Sequence, residues 1–141
     1  LSAVREALWV LRDKKIAVWG ITFKPDTDDI RSSVAIDLVA DMLKEGAHVT
    51  VYDPKGMEKA QEVKEISGAT FAASALEAVA GAEALIVATE WNEFANVDLA
   101  ALKDTMATPM IFDGRNLFDP RTMEKLGFHY HSIGRRRVAA A

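Results

Sequence analysis

Short apolar runs alternate with amphipathic helical patterns along almost the whole chain, and that alternation restricts the architecture more than any other feature. Strand-like runs fall at residues 16–19, 48–52, 84–88, 110–112 and, more weakly, 129–133. Between most of them the apolar residues recur at three- and four-residue steps, at 34–44, 57–65, 75–80, 99–106 and 121–126, which is the period of a helix with one buried face. A strand that is apolar throughout belongs to a sheet covered on both sides. Repetition of strand and helix in this order gives parallel strands joined by right-handed crossovers. The pattern therefore predicts an α/β fold, a doubly wound, Rossmann-like three-layer sandwich with a mostly parallel sheet. Residues 68–71 read either as one more short strand or as a return loop, and periodicity does not separate the two.

At 141 residues the chain is long enough for one domain with a proper core and too short for two ordinary ones. No apolar run approaches the roughly 20 residues that span a bilayer, so a membrane partner is not expected. A formal charge of −4 gives little electrostatic reason to bind nucleic acid, and the expected ligand is small. There is no cysteine, which removes disulfides, thiolate zinc sites and thiol nucleophiles and agrees with a cytoplasmic location. The chain begins at Leu1, and Leu1, Val4, Leu8 and Leu11 share one face of a helix that starts mid-pattern without a cap. It is expected to be a piece of a longer protein. Residues 135–141 have no periodic apolar face and are expected to form a disordered tail, whose arginines can otherwise grip an anion.

In such a fold ligands bind where strands end and helices begin. The first such junction runs from Gly20 to Ser33. A dinucleotide cradle would carry G-x-G-x-x-G here, and this chain has only Gly20. Asp53, at the end of the second strand, stands where such folds place an acid for the ribose, but Pro54 follows it, which fits a turn or a helix cap. The loop carries Lys24 and Arg31, cations suited to a phosphate beside a helix N-terminus. Arg31 offers a planar fork, and a charge-assisted bond of that kind is worth about 1.5–3 kcal/mol. The alternative is that both merely neutralise Asp26, Asp28 and Asp29, acids better suited to capping and salt bridging than to holding a metal.

Two more junctions lie at the same edge. In Ala88-Thr89-Glu90-Trp91-Asn92-Glu93-Phe94, Trp91 can pack a base or ribose, or with Phe94 cover the core; Thr89 and Glu90 can bond a ligand or cap the next turn. In Phe112-Asp113-Gly114-Arg115-Asn116-Leu117-Phe118-Asp119-Pro120, the Asp-Gly pair marks a tight turn that aims Arg115 and Asn116 off the sheet. Arg115 beside Lys24 would grip a diphosphate; a structural Arg115 would pair with Asp113 or Asp119.

Taken together and in this order, Gly-Ile-Thr-Phe-Lys-Pro-Asp-Thr-Asp-Asp-Ile-Arg from Gly20, Ala-Thr-Glu-Trp from Ala88 and Asp-Gly-Arg-Asn-Leu-Phe-Asp-Pro from Asp113 resemble the C-terminal, UDP-binding domain of the UDP-glucose 6-dehydrogenases, in the UDP-glucose/GDP-mannose dehydrogenase family. The resemblance covers residues 14–134 as the UDP-binding domain. It implies that residues 1–13 end a long helix that joins the two halves of the enzyme and helps pair subunits, giving a homodimer. The family oxidises the sugar C6 alcohol of UDP-glucose to a carboxylate with two NAD⁺ in succession, through a thiohemiacetal on a cysteine. That cysteine and the main NAD site belong to an N-terminal domain that would be this domain's partner. By resemblance Phe23 and Lys24 contact the UDP-sugar, Arg115 contacts the diphosphate or the sugar end, and Arg31 reaches across the cleft to NAD; Trp91 is a further substrate-contact candidate from its aromatic chemistry. No residue of this chain is expected to be catalytic or to bind metal. The alternatives are the same domain of an enzyme acting on UDP-N-acetylhexosamines or GDP-mannose, or a stand-alone nucleotide-binding or dimerisation module. A signalling receiver shares the β-α order but needs acids after the first strand and a phosphorylatable Asp after the third, where this chain has Gly20 and Thr89-Glu90.

Overall fold

The apolar runs become the strands of one sheet. In the computed structural model the described residues are 10–22, 26, 27, 29, 30 and 33–132. The strands are β1 (Lys15–Trp19), β2 (His48–Tyr52), β3 (Thr70–Phe71), β4 (Ala84–Val87), β5 (Met110–Asp113) and β6 (His129–Ser132). Their order is β3-β2-β1-β4-β5-β6 and every neighbouring pair is parallel, as the β-α repetition predicts. The chain steps outward from β1 to β3 and returns to β4 on the other side of β1. Successive loops therefore diverge between β1 and β4, and this is where an open α/β sheet offers a crevice. The register keeps the carboxyl ends level: Trp19 lies opposite Tyr52 and Val87, and Val87 opposite Asp113.

Helices cover both faces because alternate strand residues point to opposite sides. Ile16, Val18, Val49, Val51 and Ile86 meet α1 (Val34–Lys44) and α2 (Met57–Gln61) through Val39, Met42 and Ala60. Ala17, Trp19, Leu85, Val87 and Ile111 face α3 (Ala75–Ala78), α4 (Asn92–Ala95), α5 (Leu99–Thr105) and α6 (Pro120–Lys125). Trp19 anchors this second layer: its ring stacks on Phe94 at 4.9 Å and its indole N–H donates to the Ala75 carbonyl at 3.0 Å.

Several elements depart from the periodic reading. The helix expected at 57–65 stops at Gln61, Val63 is extended, and a 3-10 turn follows at Lys64–Ile66. Six residues of unbroken helix would turn Ile66 about 240° from Ala60; the break lets both bury against the same layer. Residues 68–71 supply a strand, though one of only two residues. The leading helix does not extend through residues 10–13, where Asp13 has φ 64° and its amide donates to the Gly46 carbonyl; Leu11 is nonetheless buried in the core. Residues 1–9, with the expected interdomain helix, and the tail 135–141 lie outside the described residues. Among the described residues no helix is long and apolar enough to cross a membrane.

Candidate functional site

Three loops leave the level carboxyl edge side by side, and a buried polar network ties the first two together. Gly20 has φ 91°, and a Cβ built on it would stand 2.5 Å from Thr89 Cβ and 2.8 Å from the Thr89 amide nitrogen. Its glycine character thus answers to the close approach of the β1 and β4 loops. Thr89 is fully buried and donates its hydroxyl proton to the Thr22 carbonyl at 3.1 Å, so it braces the loop from within.

Asp53 is the hub beneath this loop. Its Oδ2 accepts from the Ile21 amide at 2.8 Å, the Thr22 amide at 3.1 Å and the Thr22 hydroxyl at 3.1 Å. Its Oδ1 accepts from the Lys55 amide at 2.9 Å and the Gly56 amide at 2.8 Å. The carboxylate is 1% exposed and its lone pairs are taken by the protein, which leaves none for a ribose. Asp53 is a turn former, as Asp53-Pro54 suggests, and it also fixes the neighbouring strand's loop, which local sequence does not reveal.

Trp91, a candidate for stacking on a base or ribose, takes the packing position instead. It is 5% exposed, joins Phe94 in the core, and donates its indole N–H to Thr22 Oγ1 at 3.3 Å. The surface it would offer a base is covered by protein, and what it does is hold Thr22. Phe23 and Lys24, which follow Thr22 directly, and Arg31, just before α1, lie outside the described residues. So does Asp28. The N-cap of α1 is Ser33, whose Oγ accepts from the Ile36 amide at 3.4 Å.

Arg115 rests on a second hub of the same kind. Asp113 is fully buried at the end of β5. Its Oδ1 accepts from the Arg115 amide at 2.9 Å, and its Oδ2 from the Phe118 amide at 3.0 Å and the Tyr130 hydroxyl at 2.6 Å. The Arg115 side chain pairs with neither expected aspartate. Asp119 instead caps α6, and its hydrogen bonds from the Thr122 hydroxyl and amide hold its carboxyl below the usual carboxylate range. Arg115 Nε donates to the Ala88 carbonyl at 2.9 Å and lies 3.3 Å from Glu90 Oε2. Its side chain remains 45% exposed, and among the described residues its hydrogen bond and its ion pair both fall on Nε. Asn116, with φ 55°, is held by the Ser132 hydroxyl at 2.7 Å.

Near this edge Tyr52 has its hydroxyl pKa pushed up to about 12 by burial and by its hydrogen bond to Glu93, with the charges of Glu93 and Asp53 adding to the effect. A raised folded-state pKa gives stability that is fully present below the unfolded value near 10 and is lost as pH rises toward 12. Chemical denaturation from about pH 9 to about pH 12 is expected to show this alkaline loss, and Tyr52→Phe is expected to make it shallower. An unchanged slope in the variant would remove Tyr52 from the account.

Chemically, the edge offers an anchored guanidinium fork beside a braced loop, an arrangement for holding an anion. It does not fit a dinucleotide set in the usual way at the crevice. Asp53 is saturated, and Gly20 is packed against Thr89 where a pyrophosphate would approach.

A family model described as "UDP-glucose/GDP-mannose dehydrogenase family, UDP binding domain" matches residues 17–120. The UDP-glucose 6-dehydrogenase of Rhizobium meliloti is 50% identical over 125 residues, covering 89% of this chain and 28% of that enzyme. That of Pseudomonas aeruginosa is 38% identical over 129 residues, again covering 89% and 28%. Among solved structures, a UDP-glucose dehydrogenase from the archaeon Pyrobaculum islandicum superposes with a TM-score of 0.78 at 28% identity, covering 94% of this chain and 28% of that one. The chain spans a little over a quarter of the length of the curated relatives it matches.

Proposed function

The chain belongs to the UDP-glucose/GDP-mannose dehydrogenase family, as its UDP-binding domain, and from that premise we propose that it grips the nucleotide diphosphate of UDP-glucose at the carboxyl edge of its sheet for an NAD-dependent oxidation to UDP-glucuronate. The observation that carries the reading is Arg115: an exposed guanidinium that, among the described residues, is met at Nε by the Ala88 carbonyl and Glu90 just after β4. Lys24, two residues beyond the braced Thr22, is the second cation, and Phe23 a contact for the UDP-sugar. Trp91 serves by bracing Thr22 rather than by stacking on the ligand. Arg31 reaches toward NAD held by the rest of the enzyme.

In this division of labour the domain positions and does not react. Binding energy from the nucleotide, which takes no part in the chemistry, sets the sugar C6 against reacting groups on the N-terminal domain. NAD supplies the oxidising chemistry when bound, and the residues of this chain keep the substrate in register with it. A homodimer formed through the segment preceding β1, and a cytoplasmic setting, complete the proposal.

The chain as it stands is expected to bind UDP and UDP-glucose weakly, since half of the cleft is elsewhere, and to bind GDP more weakly still. It is expected to form no NADH from UDP-glucose and NAD⁺. Calorimetry and absorbance at the NADH band check the two halves. NADH formation by the purified chain would contradict the positioning role.

A further inference from the structure

Glu90 has no part in the proposed contacts, yet among the described residues its carboxylate is the one that pairs with the Arg115 side chain. An acid beside the cation that is to hold a diphosphate is electrostatically unfavourable for that ligand, so its placement calls for a reason. The geometry gives one. Glu90 Oε2 at 3.3 Å and the Ala88 carbonyl at 2.9 Å both meet Nε, the inner edge of the guanidinium. A guanidinium has a second, outer edge formed by its terminal nitrogens, which matches the two oxygens of a phosphate. Holding the inner edge fixes the plane of the fork and leaves the outer edge for the ligand.

Glu90 is well placed to do this. It sits one residue after Thr89, which is buried and bonded to Thr22, and one residue before Trp91, which is buried and bonded to the same threonine. Its backbone is therefore clamped on both sides, while its side chain stays 42% exposed and free to meet Arg115. The Arg115 backbone is clamped in turn by Asp113. The ion pair thus joins two fixed segments, and the rotamer freedom a ligand would otherwise have to freeze is reduced before it arrives.

We propose that Glu90 is a positioning residue for Arg115, orienting its guanidinium so that the outer edge meets the diphosphate of a UDP-sugar. The proposal rests on the reading that Arg115 contacts the diphosphate. A competing effect predicts the opposite sign: if Glu90 acted only by its charge, it would repel the diphosphate, and removing it would tighten binding.

A double-mutant cycle with UDP as the probe separates these. Calorimetry on the 141-residue chain would compare wild type, Glu90→Ala, Glu90→Gln, Arg115→Ala and the Glu90→Ala/Arg115→Ala double variant, with thermal melts confirming that each is folded. Glu90→Ala is expected to weaken UDP binding about fivefold, the scale of a partly exposed ion pair. Glu90→Gln, which keeps the side chain's length but removes the charge while Nε still gives its one hydrogen to the Ala88 carbonyl, is expected to weaken UDP to a similar extent. In the Arg115→Ala background the Glu90→Ala change is expected to have no effect on UDP. Tighter binding by both Glu90 variants, or equal weakening with and without Arg115, would overturn the proposal. Indifference of UDP to Arg115→Ala alone would instead overturn the underlying assignment of Arg115.

Discussion

Asp53→Asn is expected to destabilise the chain by about 3–5 kcal/mol, although it changes one atom and no volume. The carboxylate accepts from five donors, three on Oδ2 and two on Oδ1. A carboxylate is an acceptor on both oxygens, whereas an amide turns one of them into a donor. Whichever way the asparagine is turned, at least two N–H groups lose their partner and face an NH₂ in a site that water does not enter. For a chain of this size the loss corresponds to a fall in melting temperature of about 10–15 °C. Asp104→Asn, at an exposed position, is expected to stay within about 0.5 kcal/mol. A melting temperature for Asp53→Asn equal to that control would mean that the hub is not needed. The same substitution is also expected to weaken UDP, because Ile21 and Thr22 lead directly into Phe23 and Lys24.

Gly20→Ala is the second large effect. At most sites a Gly→Ala change stabilises slightly through the unfolded chain. Here φ is 91°, and the new methyl would overlap Thr89 Cβ, Oγ1 and the amide nitrogen at 2.5, 2.6 and 2.8 Å. Left-handed strain adds about 1–2 kcal/mol and overpacking about 1–3 kcal/mol. Relief requires the β1 and β4 loops to move apart, which breaks the Thr89–Thr22 bond that brings their chemistry together. Urea denaturation is expected to show a loss of about 2–5 kcal/mol with an unchanged m-value. Wild-type stability would show that the loops can separate without cost.

The fold was legible because each strand carries its own signal: Ile16 to Trp19 and Ala84 to Val87 are apolar at every position, as only a doubly covered strand can be. What was not legible was short or non-local. The α4 turn, Asn92–Ala95, is too brief for a helical period to declare itself, and the break after Gln61 is imposed by where Ala60 and Ile66 must pack. At the site, Asp-Pro and Asp-Gly after two strands announced turns, and turns they are. That Asp53 would also bind the amides of Ile21 and Thr22, more than thirty residues earlier, depends on β1 and β2 being neighbours in register. Trp91 and Arg115 illustrate the same limit. Sequence put both at the carboxyl edge, but only packing decides that the tryptophan faces the core with its N–H on Thr22, and that the arginine takes Glu90 rather than Asp113 or Asp119 as its side-chain partner.

The central claim is that the carboxyl edge holds UDP through Arg115 and Lys24. Titration of the chain with UDP, repeated with Arg115→Ala and Lys24→Ala, tests it most directly. A lost charge-assisted contact of about 1.5–3 kcal/mol corresponds to a tenfold or greater loss of affinity in each variant. Affinity unchanged in both variants, with both still folded, would contradict the account.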